Sequence, residues 1–279
     1  MKIKANIELM WLRRFSLSEI VSKGVIVSLT SYGQRVANNS VSYTLYSLLK
    51  QRVRAEKIVL WLDEEEYNDN TLPKMLRRIK DWGVDIKYCS NMRSYKKILP
   101  SLKTFPDYDI ITADDDLYYT PTWLEELIHT RDKHPQCIIT QTLRFPKLTA
   151  EKQFAPYREW TMNHHLLEND SYSKILAMPL GGYGTLYPAH CFDDEVLNYE
   201  LISAICPFAD DLWLYVMGLR LRLAKENVRN AKSSVYQLDL IRQKFSRDRL
   251  YAKNVGEDMN DVQLRQLLTH YNISPAELL

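Results

Sequence analysis

The sequence predicts an α/β protein, with a mostly parallel sheet flanked by helices and a more irregular C-terminal half. Three observations carry this reading. Short apolar runs alternate with amphipathic stretches through the first half, the pattern of strands joined by crossover helices. The chain has 279 residues and 46% hydrophobic content, enough to bury a core without disulfides or structural metals. Beyond about residue 145 the alternation weakens, and Pro, Tyr, Trp and Gly become frequent.

Val25–Leu29 is the expected first buried strand, followed after a polar loop by a helix with Val41, Leu45, Leu48 and Leu49 at helical spacing. Lys57–Leu62 is the second strand. Met75, Leu76, Ile79 and Trp82 share one face of a helix over Leu72–Trp82 that stops at Gly83. Val84–Tyr88 alternates as a third strand. After a basic helical segment around Tyr95–Leu102, the apolar run Asp109–Ala113 is the fourth and leads into Asp114-Asp115-Asp116. Thr120-Pro121 looks like a cap and first-turn proline opening a helix with Leu124, Leu127 and Ile128 inward. Cys137–Leu143 is a fifth strand, and a last apolar helix is expected near Leu212–Leu223. With no repeat, low-complexity tract or flexible linker, one domain over 1–279 is expected, its halves meeting near residue 145 and a tail following from about 226.

Lys+Arg at 37 against Asp+Glu at 35 leaves a formal charge of +2, so no strong field is available to recruit nucleic acid. Cys89, Cys137, Cys191 and Cys206 form no closely spaced metal-binding pair, and most lie near apolar runs, which favours a reducing compartment. The N-terminus has no continuous apolar core before a small-residue cleavage site, and no stretch is long enough to span a bilayer, so a cytoplasmic protein is expected. Met10, Trp11, Leu12 and Phe15 beside Arg13 and Arg14 could touch anionic lipid as a peripheral membrane contact, although a packed or frayed terminus explains them more simply.

Ligands of open α/β sheets sit outside the carboxyl ends of the strands, and three of those ends are polar here. They are Thr30-Ser31-Tyr32-Gly33-Gln34-Arg35, Asp63-Glu64-Glu65-Glu66 and Asp114-Asp115-Asp116. If strand alternation continues, Asp114 and Asp116 point together and Asp115 away. Such a carboxylate pair suits Mg²⁺ or Mn²⁺, which is often held by one or two carboxylates plus substrate phosphates. Consecutive acids are also common in plain turns. No G-x-x-x-x-G-K-[ST] precedes the acids and no G-x-G-x-x-G follows the first strand, which argues against a P-loop ATPase and a dinucleotide-binding dehydrogenase.

The segments VIVSLTSYGQR, KIVLWLD and IITADDDLYYTPTWLEEL resemble bacterial glycosyltransferases of GT-A fold, close to family 2, over about residues 24–220. The resemblance implies a Rossmann-like fold whose D-x-D motif, here Asp114 and Asp116, binds a metal and the donor diphosphate. It implies Asp115 at the donor ribose or sugar, Thr30, Tyr32 and Arg35 around the nucleotide, and Asp63 as uracil or ribose ligand. Residues of about 24–145 would form the nucleotide-sugar half and those of about 146–225 the acceptor half. Lys96 and Lys97 could reach the base or diphosphate, although a solvated helix face explains them equally well. Gly182 and Tyr183, in the glycine-rich turn 181–188, would border donor sugar and acceptor. In Asp210-Asp211 the resemblance makes Asp211 the general base of an inverting enzyme and Asp210 its orienting or capping neighbour, while any helix would accept such acids as an N-cap.

Tyr157, Trp160, His164 and His165 offer rings and bonding groups for an acceptor sugar, with ordinary core packing as the plainer account. The basic run Arg242, Lys244, Arg247 and Arg249 could close as a lid or lie solvated. The expected activity is transfer of a sugar, a hexose for preference, from a nucleotide diphosphate sugar, UDP-sugar favoured, to a glycan or glycolipid in bacterial surface polysaccharide or lipooligosaccharide synthesis. A metal-dependent nucleotidyltransferase or phosphatase, and a non-catalytic glycan-binding module, stay open at this point.

Overall fold

The computed structural model describes residues 17–163, 166–167, 169–233, 235–238 and 258–279. The expected lipid-facing patch in 10–15, His164 and His165, and the basic run 242–249 lie outside the described residues. The chain opens with β1 (Val21–Thr30), the short helix α1 (Gly33–Ala37), α2 (Ser40–Leu49), β2 (Arg54–Asp63), α3 (Lys74–Asp81), β3 (Val84–Cys89), α4 (Leu99–Thr104) and β4 (Asp109–Thr112). β1 pairs in parallel with β2 and β4, and β2 with β3. Strands covered on both faces need near-continuous apolar runs, which is why Val25–Leu29 and Ile58–Leu62 are legible as strands.

The chain continues through β5 (Leu117–Tyr119), α5 (Trp123–Lys133), β6 (Ile138–Thr140), β7 (Leu143–Phe145), β8 (Thr161–Asn163), β9 (Met178–Pro179), β10 (Thr185–Tyr187), α6 (Tyr199–Ile205), α7 (Asp210–Arg220), β11 (Lys225–Asn227), β12 (Val235–Gln237) and α8 (Met259–His270). The main sheet runs β11-β6-β10-β4-β1-β2-β3, with β10 antiparallel to both neighbours. Two small ladders, β12-β5 and β8-β7-β9, shape the irregular half.

One core packs β1 residues Val25, Val27 and Leu29 with Leu45, Leu48, Leu76, Ile79 and Leu127 of the helices. The other packs Ile26 and Ile110, from the opposite face of the sheet, with Trp213, Val216 and Met217 of α7 and Leu264 and Leu267 of α8. Among the described residues no single helix is long and apolar enough to cross a membrane.

Three elements differ from the sequence reading. The expected helix around Tyr95–Leu102 is a 3₁₀ turn over Arg93–Lys97 followed by α4, broken at Ile98. Pro100, which has no N–H to donate, sits in the first turn of α4, where helices tolerate it. α5 starts at Trp123 rather than after Thr120, because Thr120 O accepts from Trp123 N at 3.0 Å in a turn and Pro121 O accepts from Arg52 N at 2.8 Å. The expected strand Cys137–Leu143 splits into β6 and β7. Thr140 Oγ1 donates to Thr142 O at 3.0 Å, stabilising the bend that carries the chain out of the main sheet.

Gly184 enters β10 with φ of +111°, and a Cβ there would lie 2.5 Å from a ring carbon of Trp123. That indole is fully buried, and its Nε1 donates to Tyr183 O at 2.8 Å, so it has nowhere to retreat. Gly184→Ala combines overpacking with left-handed strain and should cost about 2–3 kcal/mol, read as a lowered urea midpoint with unchanged slope.

Candidate functional site

β10 is antiparallel, so the turn preceding it lies at the same sheet edge as the carboxyl ends of β1, β2 and β4. The register Thr185↔Thr112 places Gly181–Gly184 directly beside the acidic triplet. Thr112 Oγ1 donates to Gly181 O at 3.1 Å, and Tyr119, whose hydroxyl accepts from Asp114 N at 2.8 Å, donates to Gly182 O at 2.6 Å. The fit is close. A Cβ on Gly182 would fall 2.2 Å from Asp114 Oδ2, and one on Gly181 would fall 2.8 Å from Asp211 Oδ1. These two positions therefore need glycine because carboxylates occupy the space a side chain would take.

β4 ends at Thr112, so the triplet lies in the turn before β5 and strand alternation does not govern it. This corrects the pairing expected from sequence. Asp115 and Asp116 share one cation: Arg35 pairs with Asp115 and, through Nη2, lies 2.9 Å from Asp116 Oδ2. Asp115 is buried and also accepts from Ser31 Oγ, so both its oxygens brace the loop after β1. Burial pushes its carboxyl up, against the pull of Arg35 and Ser31. Burial likewise opposes the charge on Arg35, and Asp115 and Asp116 hold it protonated.

Asp114 takes a different partner. Lys97 Nζ lies 3.0 Å from Asp114 Oδ1 and 2.9 Å from Asp210 Oδ2, joining the triplet to the N-terminus of α7. The second contact is short but off-line for a hydrogen bond, leaving Asp210 Oδ2 buried with charge compensation and no donor aimed at it. Burial alone would discharge Lys97, yet Asp114, Asp210 and Asp211 outweigh it and hold the ammonium well above the ordinary lysine range. Lys97 is thus a buried crosspiece and not the solvated helix face that lysines usually form.

Asp211 accepts from Gly181 N at 3.1 Å. Burial first, then the charges of Asp210 and Asp114, push its carboxyl up to about 7, against Lys97 and the Gly181 N–H. The residue is only partly covered, which tempers the push. Asp210 and Asp211 also occupy the first turn of α7, where carboxylates are favoured by the helix dipole.

Among the remaining expected residues, Thr30 Oγ1 donates to Trp61 O at 2.9 Å, and Tyr32 is 41% exposed with the Arg35 guanidinium over its ring. Asp63 is buried at the end of β2, 3.8 Å from Lys96 Nζ, and accepts from Glu65 N at 3.0 Å. Tyr183 is half-buried; burial first, then the charges of Asp114 and Asp116, push its hydroxyl up, and Arg144 pulls it down. Tyr157 and Trp160 are core residues at 7% and 4% exposure. Trp160 packs against Phe154, Tyr157 and Tyr215 and donates to Ala155 O at 2.9 Å. Neither ring offers a free face, which corrects the expectation that they stack on a sugar. Sequence reading gave no separate role to Ser31, Tyr119 or Gly181, although each stood in a segment already singled out.

Asp114 and Asp116 supply hard oxygens, and the Asp114 side chain is 39% exposed at the mouth of the site. Among the described residues no group of three or more His, Cys, Asp or Glu side chains could hold a metal by themselves. A cation held here would have to complete its shell with phosphate oxygens and water, since the side chains offer no closed protein cage.

The sheet order and the position of this edge define a Rossmann-like α/β fold of GT-A type. Among solved structures of that shape, S. aureus TarS 1-349 in complex with UDP superposes with a TM-score of 0.52 at 12% identity, covering 91% of this chain and 68% of that one. S. aureus TarS 1-349 in a second structure gives 0.50 at 14% identity, over 93% of this chain and 68% of that one. A CMP:2-keto-3-deoxy-manno-octonic acid synthetase complexed with CTP gives 0.45 at 8% identity, over 81% and 97%, a likeness too slight to bear on chemistry. No protein-family model and no curated protein matches the chain.

Proposed function

We propose that the protein is a glycosyltransferase that moves a sugar, a hexose for preference, from a nucleotide diphosphate sugar to a hydroxyl of a glycan or glycolipid with inversion at the anomeric carbon. One observation carries the reading: Lys97 ties the acid pair of α7 to the acidic triplet, so a carboxylate poised to take a proton stands beside carboxylates suited to a diphosphate and its cation. UDP-sugar is the favoured donor, since a protein of similar fold is described in complex with UDP.

On this reading Tyr32 and Arg35 flank the nucleotide, with Asp63 and Lys96 deeper at the end of β2. Asp211 accepts the proton of the acceptor hydroxyl as its oxygen bonds to the anomeric carbon, and the nucleoside diphosphate departs with the electrons of the broken C–O bond. Asp210 holds Lys97 in place, and Lys97 keeps Asp211 from being protonated too readily. Mg²⁺ or Mn²⁺, when held by Asp114 and Asp116, supplies electrostatic stabilisation to the departing diphosphate. Surface polysaccharide or lipooligosaccharide synthesis at the inner face of the cell membrane is the setting we assign to such a reaction.

The test is to identify the small product formed from UDP-hexoses and Mn²⁺ with and without glycan acceptors. UDP released faster when acceptor is present supports transfer. Pyrophosphate or inorganic phosphate in its place indicates nucleotidyltransferase or phosphatase chemistry and overturns the proposal.

A further inference from the structure

Arg144 is a charged residue of the irregular half that the chemistry above does not use. It stands on β7 at the centre of the small β8-β7-β9 ladder, opposite Met162 and Met178. Its guanidinium carbon lies 4.5 Å from the centre of the Tyr157 ring, and Nη1 makes a long 3.4 Å bond to Tyr157 O. Its Nε is buried with no hydrogen-bond partner. Among the described residues no carboxylate pairs with it, whereas Lys96 has one such partner and Arg35 and Lys97 have two each. Buried polar atoms are almost always satisfied, so an arginine held half-covered on an aromatic ring, with a free Nε and no counter-charge, is a group set up for something absent from the chain.

Two facts say what it waits for and where. β7 pairs with β9, Arg144 opposite Met178, and β9 leads directly into the Gly181–Gly184 turn set against the acids; Tyr183 of that turn feels the charges of Asp114 and Asp116 and the opposite charge of Arg144. In the sheet, the nucleotide residues of β1 and β2 lie on one side of β4, and β10 and β6, from which the chain leads directly into β7, lie on the other. Arg144 therefore stands on a strand that lies on the side of β4 away from the nucleotide residues. A planar guanidinium braced on a ring is suited to a carboxylate or phosphate, which it meets with two parallel N–H donors.

We infer that Arg144, braced by Tyr157 and bordered by Tyr183, forms an oxyanion subsite for the acceptor, so that the preferred acceptor carries a carboxylate or phosphate near the hydroxyl that is glycosylated. The inference rests on the glycosyltransferase reading. It gives Tyr157 a place under the cation instead of under a sugar.

The probes are D-glucuronate, glucose 1-phosphate and neutral D-glucose, titrated by ligand-observed NMR against the full chain with and without saturating UDP and Mn²⁺. The wild type should bind either anion about 10-fold more tightly than glucose, and UDP should leave that preference in place. Arg144→Met should abolish the preference while UDP binding persists, and Arg144→Lys should restore part of it, which a merely structural role would not. Equal binding of the anions and glucose, or an unchanged preference in Arg144→Met, overturns the inference. Displacement of the anions by UDP also overturns it, since the anion would then be a mimic of the donor diphosphate. UDP binding is read in the same samples, so a failed donor site shows as loss of UDP affinity and is told apart from a failed anion subsite.

Discussion

Asp211→Asn is expected to lower turnover by about 10²–10⁴-fold while leaving UDP affinity intact, because it removes a proton acceptor without disturbing the donor side of the cleft. Asparagine keeps an oxygen that can accept from Gly181 N, so the bracket that positions residue 211 survives. The pH dependence gives the stronger signature. Wild-type turnover should climb as pH rises through about 7, where Asp211 loses its proton, and the residual activity of the variant should lack that limb. Stability should move the other way. The folded-state value lies above that of an unfolded aspartate, so between about pH 4 and pH 7 the native state holds the proton more tightly and this residue's contribution declines as pH rises. At pH 8 the variant should be the more stable protein by on the order of 1–2 kcal/mol, the partial exposure of the residue reducing the full linkage value.

Lys97→Met should be the most damaging substitution at the site. It leaves Asp114, Asp210 and Asp211 facing one another with their shared cation gone, at a cost of about 3–5 kcal/mol at neutral pH. The cost should shrink below pH 6, as the carboxylates relieve their repulsion by taking up protons. Because Lys97 holds the Asp211 carboxyl down, what activity remains should need a higher pH than the wild type. A surface lysine would show none of this, so chemical denaturation at pH 5.5 and pH 8, with a pH–rate profile, separates the buried crosspiece from a merely solvated charge. Loss of stability equal at both pH values would contradict the ion network.

How far the sequence could be read follows from which interactions are local. The parallel strands β1, β2 and β4 announce themselves because a strand buried on both faces must be apolar, the edge strand β3 by its alternation, and the acids stand out because they follow an apolar run. β10 left only a glycine-rich turn and the three residues Thr185–Tyr187, and nothing in that turn says the strand inserts antiparallel between β4 and β6. Yet that insertion puts Gly181 and Gly182 against the acids. The orientation of the triplet was misjudged for a similar reason: alternation holds only while the strand lasts, and β4 stops at Thr112. Tyr157 and Trp160 read more plainly as core than as a sugar platform, and the packing of Phe154 and Tyr215 decides for the core. Arg144 carried no local signal, since what marks it is the absence of a partner in three dimensions.

The donor site is the central claim, and calorimetric titration of UDP with and without Mn²⁺ tests it most directly. The account predicts UDP binding that depends on Mn²⁺, is lost when Asp114 and Asp116 are both changed to asparagine, and is kept in Asp211→Asn. UDP binding that ignores Mn²⁺, or that survives in the Asp114→Asn and Asp116→Asn double variant, would contradict it.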